Sequence, residues 1–340
     1  MRGAAQPRAP RTPAAALTLA ALTRPACLVL VLPQVYLQNS GLGNTVNPLL
    51  SLCDSKVYSM PMLLLVGWRG EPGHRDEPQH QVQGAITPAM LSAMNVNYEV
   101  LPDYQEGMEK TLDTAMHYVK TRKAPYALLV RKNTFVPTKL EQMPNRFEVS
   151  REQAIELVLN QLGKFDVCVG TTGFTSRELY ELRAKRGEGH ERDFLCVGSM
   201  GHASNIALGI AMGKPSRNVY CFDGDGAMLM HMGGVATVGI ISPPNLKHIV
   251  FNNEAHESVG GQATGAETLN LTGIAESCGY RKTFRATSPE EIVAATKELA
   301  ATEGPALLEI MVNKGARSDL GRPKSSPVEN KQAFMNFLDA

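Results

Sequence analysis

Two polar clusters in the second half of the chain have the residue types of a metal-bound phosphate site. Gly224-Asp225-Gly226 is followed, after 25 residues, by Asn252-Asn253. Asp225 offers a carboxylate and Asn253 an amide oxygen, and Mg²⁺ prefers such oxygen ligands, usually completing its octahedron with backbone, water and phosphate oxygens. Glycine lets the backbone turn sharply and approach a phosphate, and the N-terminus of a following helix favours an anion. The pattern therefore predicts a diphosphate held through Mg²⁺.

The segments around these clusters predict one βαβ unit. Apolar runs at residues 219–222 and 248–251 are typical of buried parallel strands, and residues 227–241 are long enough for the crossover helix. Both polar clusters then follow the carboxyl ends of strands, at the edge where open α/β sheets bind ligands. We therefore expect Asp225 and Asn253 to face the same crevice.

The same residues allow two other interpretations. Asp223, Asp225 and Gly226 suggest a calcium loop, but Ala227 and Gly234 occupy the positions where the EF-hand pattern needs a third ligand and a bidentate Glu. Asp-Gly and Asn-Asn are also common turn dipeptides, and either one alone would carry little weight. Their pairing across one βαβ unit favours the metal site.

The GDG and NN motifs together are similar to the cofactor motif of the thiamine diphosphate-dependent decarboxylases. More narrowly, residues 38–44 (QNSGLGN), 198–204 (GSMGHAS), 252–262 (NNEAHESVGGQ) and 315–323 (GARSDLGRP) resemble the phosphonopyruvate decarboxylase family, and the resemblance extends from about residue 33 to the C-terminus. It implies an α/β protein with two doubly wound parallel-sheet domains of the thiamine diphosphate-binding type, the first one incomplete.

The resemblance divides the chain into four parts. Residues 1–32 are an atypical Ala/Pro/Arg-rich segment, residues 33–140 a partial pyrimidine-binding domain, residues 141–150 a linker and residues 151–340 the domain that binds diphosphate and Mg²⁺. The first segment allows a mitochondrial transit peptide, a signal-peptide core, or a truncated or wrongly joined gene product. Scattered prolines weaken the first two, so a cytoplasmic protein is expected, with a mitochondrial one as the alternative.

The resemblance also implies which residues act at the site. Those expected to bind the cofactor are Gly170, Thr171, Thr172, Gly173, Gly198, Ser199, Met200, His202, Gly224, Asp225, Gly226, Ala227 and Asn253. The expected Mg²⁺ ligands are Asp225, Asn253 and Ala255, and the expected catalytic residues are His80, His202 and Glu257. Met200 would hold the cofactor in its bent conformation. For Met200 a core position, and for His202 a structural loop position, are the alternatives.

Three arginines are candidates for binding a phosphonate group of the substrate. Arg69 lies in a polar loop of the first domain, and Arg317 and Arg322 lie in the C-terminal segment. The planar fork of a guanidinium group matches phosphoryl oxygens. The alternatives are an ordinary surface loop for the first and a solvated tail for the other two.

The implied reaction is the decarboxylation of 3-phosphonopyruvate to phosphonoacetaldehyde and CO₂, a carboxy-lyase step of phosphonate (2-aminoethylphosphonate) biosynthesis. Sulfopyruvate is a near isostere, so a sulfopyruvate or other 2-oxo acid decarboxylase is the alternative. The family's GVPDSLL-like loop and the pyrimidine-contacting Glu of its NEG-like motif have no counterpart before the matched strand, and the first acidic residue is Asp54. A truncated form that binds cofactor but turns over little is therefore a rival expectation.

Composition and motifs argue against several other classes of protein. A formal net charge of +1 over 340 residues provides no concentrated basic face for nucleic acid or an anionic membrane. The six cysteines form no CxxC pair, which favours a reducing compartment. No apolar run has the length of a membrane span, and no strand is followed by the GxGxxG of a dehydrogenase. The expected partners are a small 2-oxo acid and further copies of this chain, in a homodimer or homotetramer.

Overall fold

The computed structural model describes residues 32–136 and 146–340. The chain divides into two compact units, Met1–Gln142 and Met143–Ala340. Nearly all of the expected N-terminal segment, residues 1–31, lies outside the described residues. The same holds for residues 137–145, which include the first half of the expected linker.

The first unit is built on a parallel sheet with the strand order β1-β2-β4-β3. Its strands are β1 (Gln34–Gln38), β2 (Met62–Gly67), β3 (Asn97–Val100) and β4 (Pro125–Val130). Three short helical stretches (Asn39–Thr45, Val46–Pro48, Leu49–Cys53) follow β1, and the longer helices are α1 (Pro78–Ala93) and α2 (Gln105–Arg122). Every residue of β4 is buried, as expected for a parallel strand covered on both faces.

The second unit is built on a six-stranded parallel sheet with the order β11-β12-β8-β7-β5-β6. Its strands are β5 (Val167–Gly170), β6 (Asp193–Leu195), β7 (Val219–Gly224), β8 (Leu246–Asn252), β11 (Lys282–Ala286) and β12 (Ala306–Met311). A small antiparallel hairpin, β9 (Ala255–His256) and β10 (Gln262–Ala263), follows β8. The order reverses direction beside β5 and β7, which is where doubly wound sheets bind ligands.

The helices of the second unit connect these strands and cover both faces of the sheet. They are α3 (Arg151–Leu159), α4 (Phe174–Lys185), α5 (Ala203–Gly213), α6 (Asp225–Met230), α7 (Gly233–Ile241), α8 (Leu271–Ser277), α9 (Pro289–Ala301) and α10 (Pro327–Asp339). Successive residues of one strand enter different cores: Tyr220 and Phe222 pack on one face and Val219 and Cys221 on the other. The parallel α/β architecture predicted from the sequence is confirmed.

The crossover between β7 and β8 differs from the single helix predicted over residues 227–241. Helix α6 begins earlier, at Asp225, so the GDG motif opens the helix itself. The helix ends at Met230, since His231 has φ −130° and ψ 54°, and α7 begins at Gly233. A Gly-Gly pair favours helix poorly, and a Cβ at Gly234 would lie 2.5 Å from Asn205 Nδ2 of α5. Close packing of α7 on α5 therefore accompanies the break.

Local contacts set the ends of several elements. β6 ends at Leu195, and Val197 is 41% exposed because the chain has already left the sheet. Helix α4 begins at Phe174. Ser150 and Gln153 form a capping box at the start of α3. Among the described residues, no helix combines the length and apolar character that crossing a bilayer requires.

Candidate active site

The loops that follow β5, β6, β7 and β8 meet at one edge of the six-stranded sheet. Parallel pairing of β7 with β8 places Gly224 opposite Phe251, so the GDG and NN motifs leave the sheet side by side. The hydroxyl of Thr172, after β5, donates to the carbonyl oxygen of Val197, after β6, at 2.9 Å. The predicted cofactor residues of all four loops are therefore brought to the same edge, as the parallel topology requires.

The carboxylate of Asp225, one of the two predicted side-chain ligands of the metal ion, lies beside the backbone of the other, Asn253. Asp225 is 2% exposed at the first position of α6, and its carboxylate accepts hydrogen bonds from the backbone N–H groups of Gly226 and Asn253. The Thr264 hydroxyl also donates to Asp225 Oδ2. Asn253 lies just after β8, and its Oδ1 accepts from the N–H of Ala255, the third predicted ligand, at 3.1 Å.

The electrostatics of Asp225 suit a cation. Burial raises the pKa of its carboxyl group to about 6, and hydrogen bonds from Thr264, Gly226 and Asn253 only partly offset the burial. Within residues 32–136 and 146–340, no Lys, Arg or His forms an ion pair with it. A buried carboxylate without a counterion gains most from a bound metal ion.

The surroundings of Asp225 also fit a phosphate group. A Cβ at Gly226 would lie 2.7 Å from His256 Cε1 and 3.0 Å from Thr264 Cγ2, so only glycine lets α6 begin here against the β9–β10 hairpin. The hydroxyl of Thr171 and Nε2 of His256 are buried and have no hydrogen-bond partner among the described residues. An unpaired buried polar group costs about 1–3 kcal/mol, which an acceptor such as a phosphate oxygen would recover. The residues present therefore fit a diphosphate bound with a cation.

The loop after β6 lies against the start of the crossover. Ser199 has φ 51°, and a Cβ at Gly201 would lie 2.9 Å from the carbonyl oxygen of Ala227. Met200 is half-buried, and Gly198 precedes it in the same loop. This loop therefore packs closely against the segment that opens at the GDG motif. Met200 as a support for the cofactor stays a prediction.

Two histidine rings lie against each other beside this loop, tilted by 53°. His202 is exposed at the N-cap of α5, and its ring centroid lies 4.3 Å from that of His231, where α6 ends. Burial and then the neighbouring His202 lower the pKa of His231. Sequence reasoning named His202 but missed His231. Its signal was its position directly after the helix that opens at the GDG motif.

The carboxylate of Glu257 accepts hydrogen bonds from three donors. Its Oε2 accepts from Arg151 Nη1 at 2.8 Å and from Asn253 Nδ2 at 3.2 Å, and its Oε1 accepts from the N–H of Gly315. Arg151 in turn makes a two-pronged contact with Glu178 at 2.7 and 2.9 Å. Sequence reasoning missed Arg151 and Glu178, which read as ordinary helix-surface residues.

Two other predicted site residues, His80 and Arg69, belong to the first unit. His80 lies in α1, and burial, followed by the charge of Arg69, lowers its pKa. Arg69 is bound by Asp76, with Nε to Oδ2 at 2.8 Å and Nη2 to Oδ1 at 2.6 Å. An anionic substrate would have to compete with Asp76 for this guanidinium, so the assignment of Arg69 to phosphonate stays a prediction.

Arg317, one of the two C-terminal arginines, is paired with carboxylates. Arg317 pairs with Glu152 at 2.8 Å, with Asp319 at 2.9 Å and with Glu181. Arg322 is exposed in the same segment. A phosphonate would therefore have to displace carboxylates from Arg317. The proposed roles of both arginines stay predictions.

Known proteins share this sequence pattern. Residues 169–310 match the family model of the thiamine pyrophosphate enzyme, C-terminal TPP binding domain. The chain is 34% identical to the phosphonopyruvate decarboxylase of Streptomyces viridochromogenes over 88% of this chain and 78% of that protein. It is also 34% identical to that of Streptomyces hygroscopicus, over 88% of this chain and 77% of that protein. It is 27% identical to the sulfopyruvate decarboxylase of Methanosarcina acetivorans, over 90% of this chain and 82% of that protein.

The parallel α/β fold and the site at its sheet edge define an enzyme of the thiamine pyrophosphate class, with thiamine diphosphate as its cofactor. The chain belongs to the phosphonopyruvate decarboxylase family within this class. The family and cofactor predicted from the motifs are thereby confirmed.

Proposed function

We propose that this protein decarboxylates 3-phosphonopyruvate to phosphonoacetaldehyde and CO₂. The observation that carries the proposal is the extent of the similarity: 34% identity continues over 88% of the chain, well beyond the matched cofactor domain. The similarity therefore includes most of the first unit, which the cofactor motif alone does not account for.

The residues at the sheet edge account for cofactor binding. Asp225, the amide oxygen of Asn253 and the backbone carbonyl of Ala255 would hold Mg²⁺, which neutralises a diphosphate. The unpaired hydroxyl of Thr171 would donate to a phosphate oxygen. When bound, thiamine diphosphate supplies the nucleophilic carbon and the electron sink that decarboxylation of a 2-oxo acid needs.

The protein's own proton-handling groups would lie at the same edge. An imidazole can donate or accept a proton near neutral pH, and the neighbouring rings of His202 and His231 lie beside the loop that contains Met200. Their partial exposure suits them to protonate a product as it leaves. Glu257 is held by three donors and is less suited to this task.

The active form is a homo-oligomer, either a dimer or a tetramer, in this proposal. Symmetric association would give each copy an equivalent site. Light scattering with thiamine diphosphate and Mg²⁺ present checks this, and a stable monomer that turns over substrate would contradict it.

The experiment that tests the function compares three 2-oxo acids on the full chain with cofactor and Mg²⁺. Turnover of 3-phosphonopyruvate, sulfopyruvate and pyruvate is followed by CO₂ release and by product identification. We expect kcat/KM for 3-phosphonopyruvate to exceed the other two values by at least about tenfold, which is a difference of about 1.4 kcal/mol in transition-state stabilisation. Asp225→Ala is the inactive control. Cofactor binding without turnover of any of the three acids would contradict the proposal.

A second candidate is sulfopyruvate decarboxylation, favoured by the 27% identity to that enzyme over 90% of the chain. A sulfonate carries one negative charge, whereas a phosphonate reaches two near neutral pH. Raising the pH from 6 to 8 should therefore alter KM for phosphonopyruvate more than KM for sulfopyruvate. A higher kcat/KM for sulfopyruvate at both pH values would establish the second candidate instead.

A further inference from the structure

The carboxylate of Glu257 is placed to orient the side chain of Asn253, one of the proposed metal ligands. The Glu257 side chain is partly buried, and its Oε2 accepts from Nδ2 of Asn253 at 3.2 Å. The same oxygen accepts from Arg151 at 2.8 Å, and Oε1 accepts from the N–H of Gly315. Three donors surround this carboxylate, so it is held in place from three directions.

The anchor of this arrangement lies outside the metal loop. Arg151 opens α3, its side chain is 7% exposed, and its guanidinium is bridged to Glu178 of α4 at 2.7 and 2.9 Å. The ring of Phe174 lies 5.3 Å from the Arg151 guanidinium carbon. Buried ion pairs contribute little net stability, because desolvation offsets the Coulomb attraction. Glu178, Arg151 and Glu257 form linked ion pairs that connect helices α4 and α3 to Asn253. Stability alone therefore does not explain this arrangement.

The contact has a definite consequence for the amide of Asn253. The oxygen and nitrogen ends of an amide are nearly the same size, so packing alone cannot choose between its two orientations. A carboxylate is only an acceptor, and it therefore requires the NH₂ end. With Nδ2 turned to Glu257, Oδ1 is left on the side of the Ala255 N–H, available to a cation.

We propose that Glu257 is a positioning residue that fixes the amide of Asn253 with its oxygen toward the metal ion, and that the Arg151–Glu178 pair holds Glu257 in that position. This role differs from the catalytic one that the family resemblance implies for Glu257. It rests on the proposed function, since it takes Asn253 as a ligand of Mg²⁺.

The first test measures Mg²⁺ affinity directly. Titration calorimetry with Mg²⁺ at saturating thiamine diphosphate should show about 10- to 100-fold weaker binding for Glu257→Ala, the range found when a residue supporting a metal ligand is lost. Glu254→Gln is the matched control: Glu254 lies in the same loop, but its carboxylate pairs with Arg146 at 2.8 Å. We expect this control to bind Mg²⁺ within about twofold of the parent chain.

A second test separates orientation from general structural support. An aspartate at position 253 presents an oxygen in either orientation, so Asn253→Asp needs no orienting partner, and its carboxylate would be repelled by Glu257. Adding Glu257→Ala to Asn253→Asp should therefore restore Mg²⁺ affinity relative to Asn253→Asp alone. If Glu257 only supports the fold, the second substitution should weaken Mg²⁺ binding further and lower the melting temperature of the metal-free chain in both backgrounds.

The outcomes distinguish this inference from the function on which it rests. If the parent chain binds neither Mg²⁺ nor thiamine diphosphate, the proposed function fails and the inference fails with it. If the parent binds both, Asp225→Ala abolishes Mg²⁺ binding, and Glu257→Ala binds Mg²⁺ as tightly as the parent, only the role of Glu257 is refuted.

Discussion

Replacing Asp225 with asparagine should stabilise the metal-free protein while removing its affinity for cofactor. The substitution preserves the size of the side chain and removes a buried charge. An amide oxygen can still accept from the N–H groups of Gly226 and Asn253, and its NH₂ group can donate to the Thr264 hydroxyl, which then acts as the acceptor. The hydrogen bonds are conserved in number, so the charge is the main difference.

The magnitude follows from the pKa of Asp225. Burial raises it from 3.8 to about 6, a difference of about two units, and each unit corresponds to about 1.4 kcal/mol. The folded chain binds the proton more tightly than the unfolded chain. The resulting stabilisation is fully present below pH 3.8 and is lost as the pH rises through about 6. At pH 8 the ionised carboxylate therefore costs the metal-free fold about 3 kcal/mol, and Asp225→Asn avoids this cost.

The assay is thermal unfolding without Mg²⁺ or cofactor, at pH 8 and at pH 4.5. At pH 8 we expect a higher melting temperature for Asp225→Asn, by about 2–4 °C for each kcal/mol in a unit of this size. At pH 4.5 the difference should shrink, because the parent carboxyl group is then largely protonated in the fold. With Mg²⁺ and thiamine diphosphate at pH 8, only the parent should gain stability.

A matched control is Asp193→Asn, at a buried aspartate that has a counterion. Asp193 accepts from Nε and Nη2 of Arg183, each at 3.0 Å, so its loss should destabilise the chain by about 3–5 kcal/mol. If Asp225→Asn also lowers the melting temperature at pH 8, or if its effect is the same at both pH values, the reasoning from an uncompensated charge is wrong.

Three further predictions concern the same sheet edge. Thr171→Val should leave the metal-free stability unchanged or slightly higher, since the hydroxyl has no partner in the part of the chain that the structure describes, and should weaken thiamine diphosphate binding about tenfold by calorimetry. Gly226→Ala should destabilise the chain by about 1–3 kcal/mol in denaturant unfolding, because its Cβ would lie 2.7 Å from His256 Cε1; unchanged stability would contradict the close packing. His202→Gln should raise the pKa of His231 toward its ordinary value by removing one of its two causes, as followed by NMR of the imidazole, whereas an unchanged pKa would show that burial alone sets it.

The central pair of the site could be predicted because its position follows from local patterns and one topological rule. Apolar runs specify β7 and β8, the intervening segment is too long for a hairpin, and parallel strands place their carboxyl ends together. Asp225 and Asn253 each follow one of these ends directly. Their position at the same sheet edge could therefore be predicted without knowledge of the rest of the fold.

The break between α6 and α7 could not be predicted with the same rule. Residues 227–241 have the composition of one continuous helix, apart from three glycines that many helices tolerate. The packing of Gly234 against Asn205 and of His231 against Gly201 depends on helices and loops distant in sequence. His231 reaches His202 only because of this break.

The amino-acid sequence by itself determined the fold class and the cofactor of this protein and predicted two metal ligands, because hydrophobic periodicity and strand-end motifs act over short stretches of chain. Only the tertiary structure decided how the side chains at that sheet edge are held. Glu257 and Arg151 are 106 residues apart, and Thr264 and Asp225 are 39 apart. Such contacts are selected by the burial of whole helices and hairpins against the sheet. A charged residue on a helix looks the same in sequence whether its partner is water or a buried carboxylate.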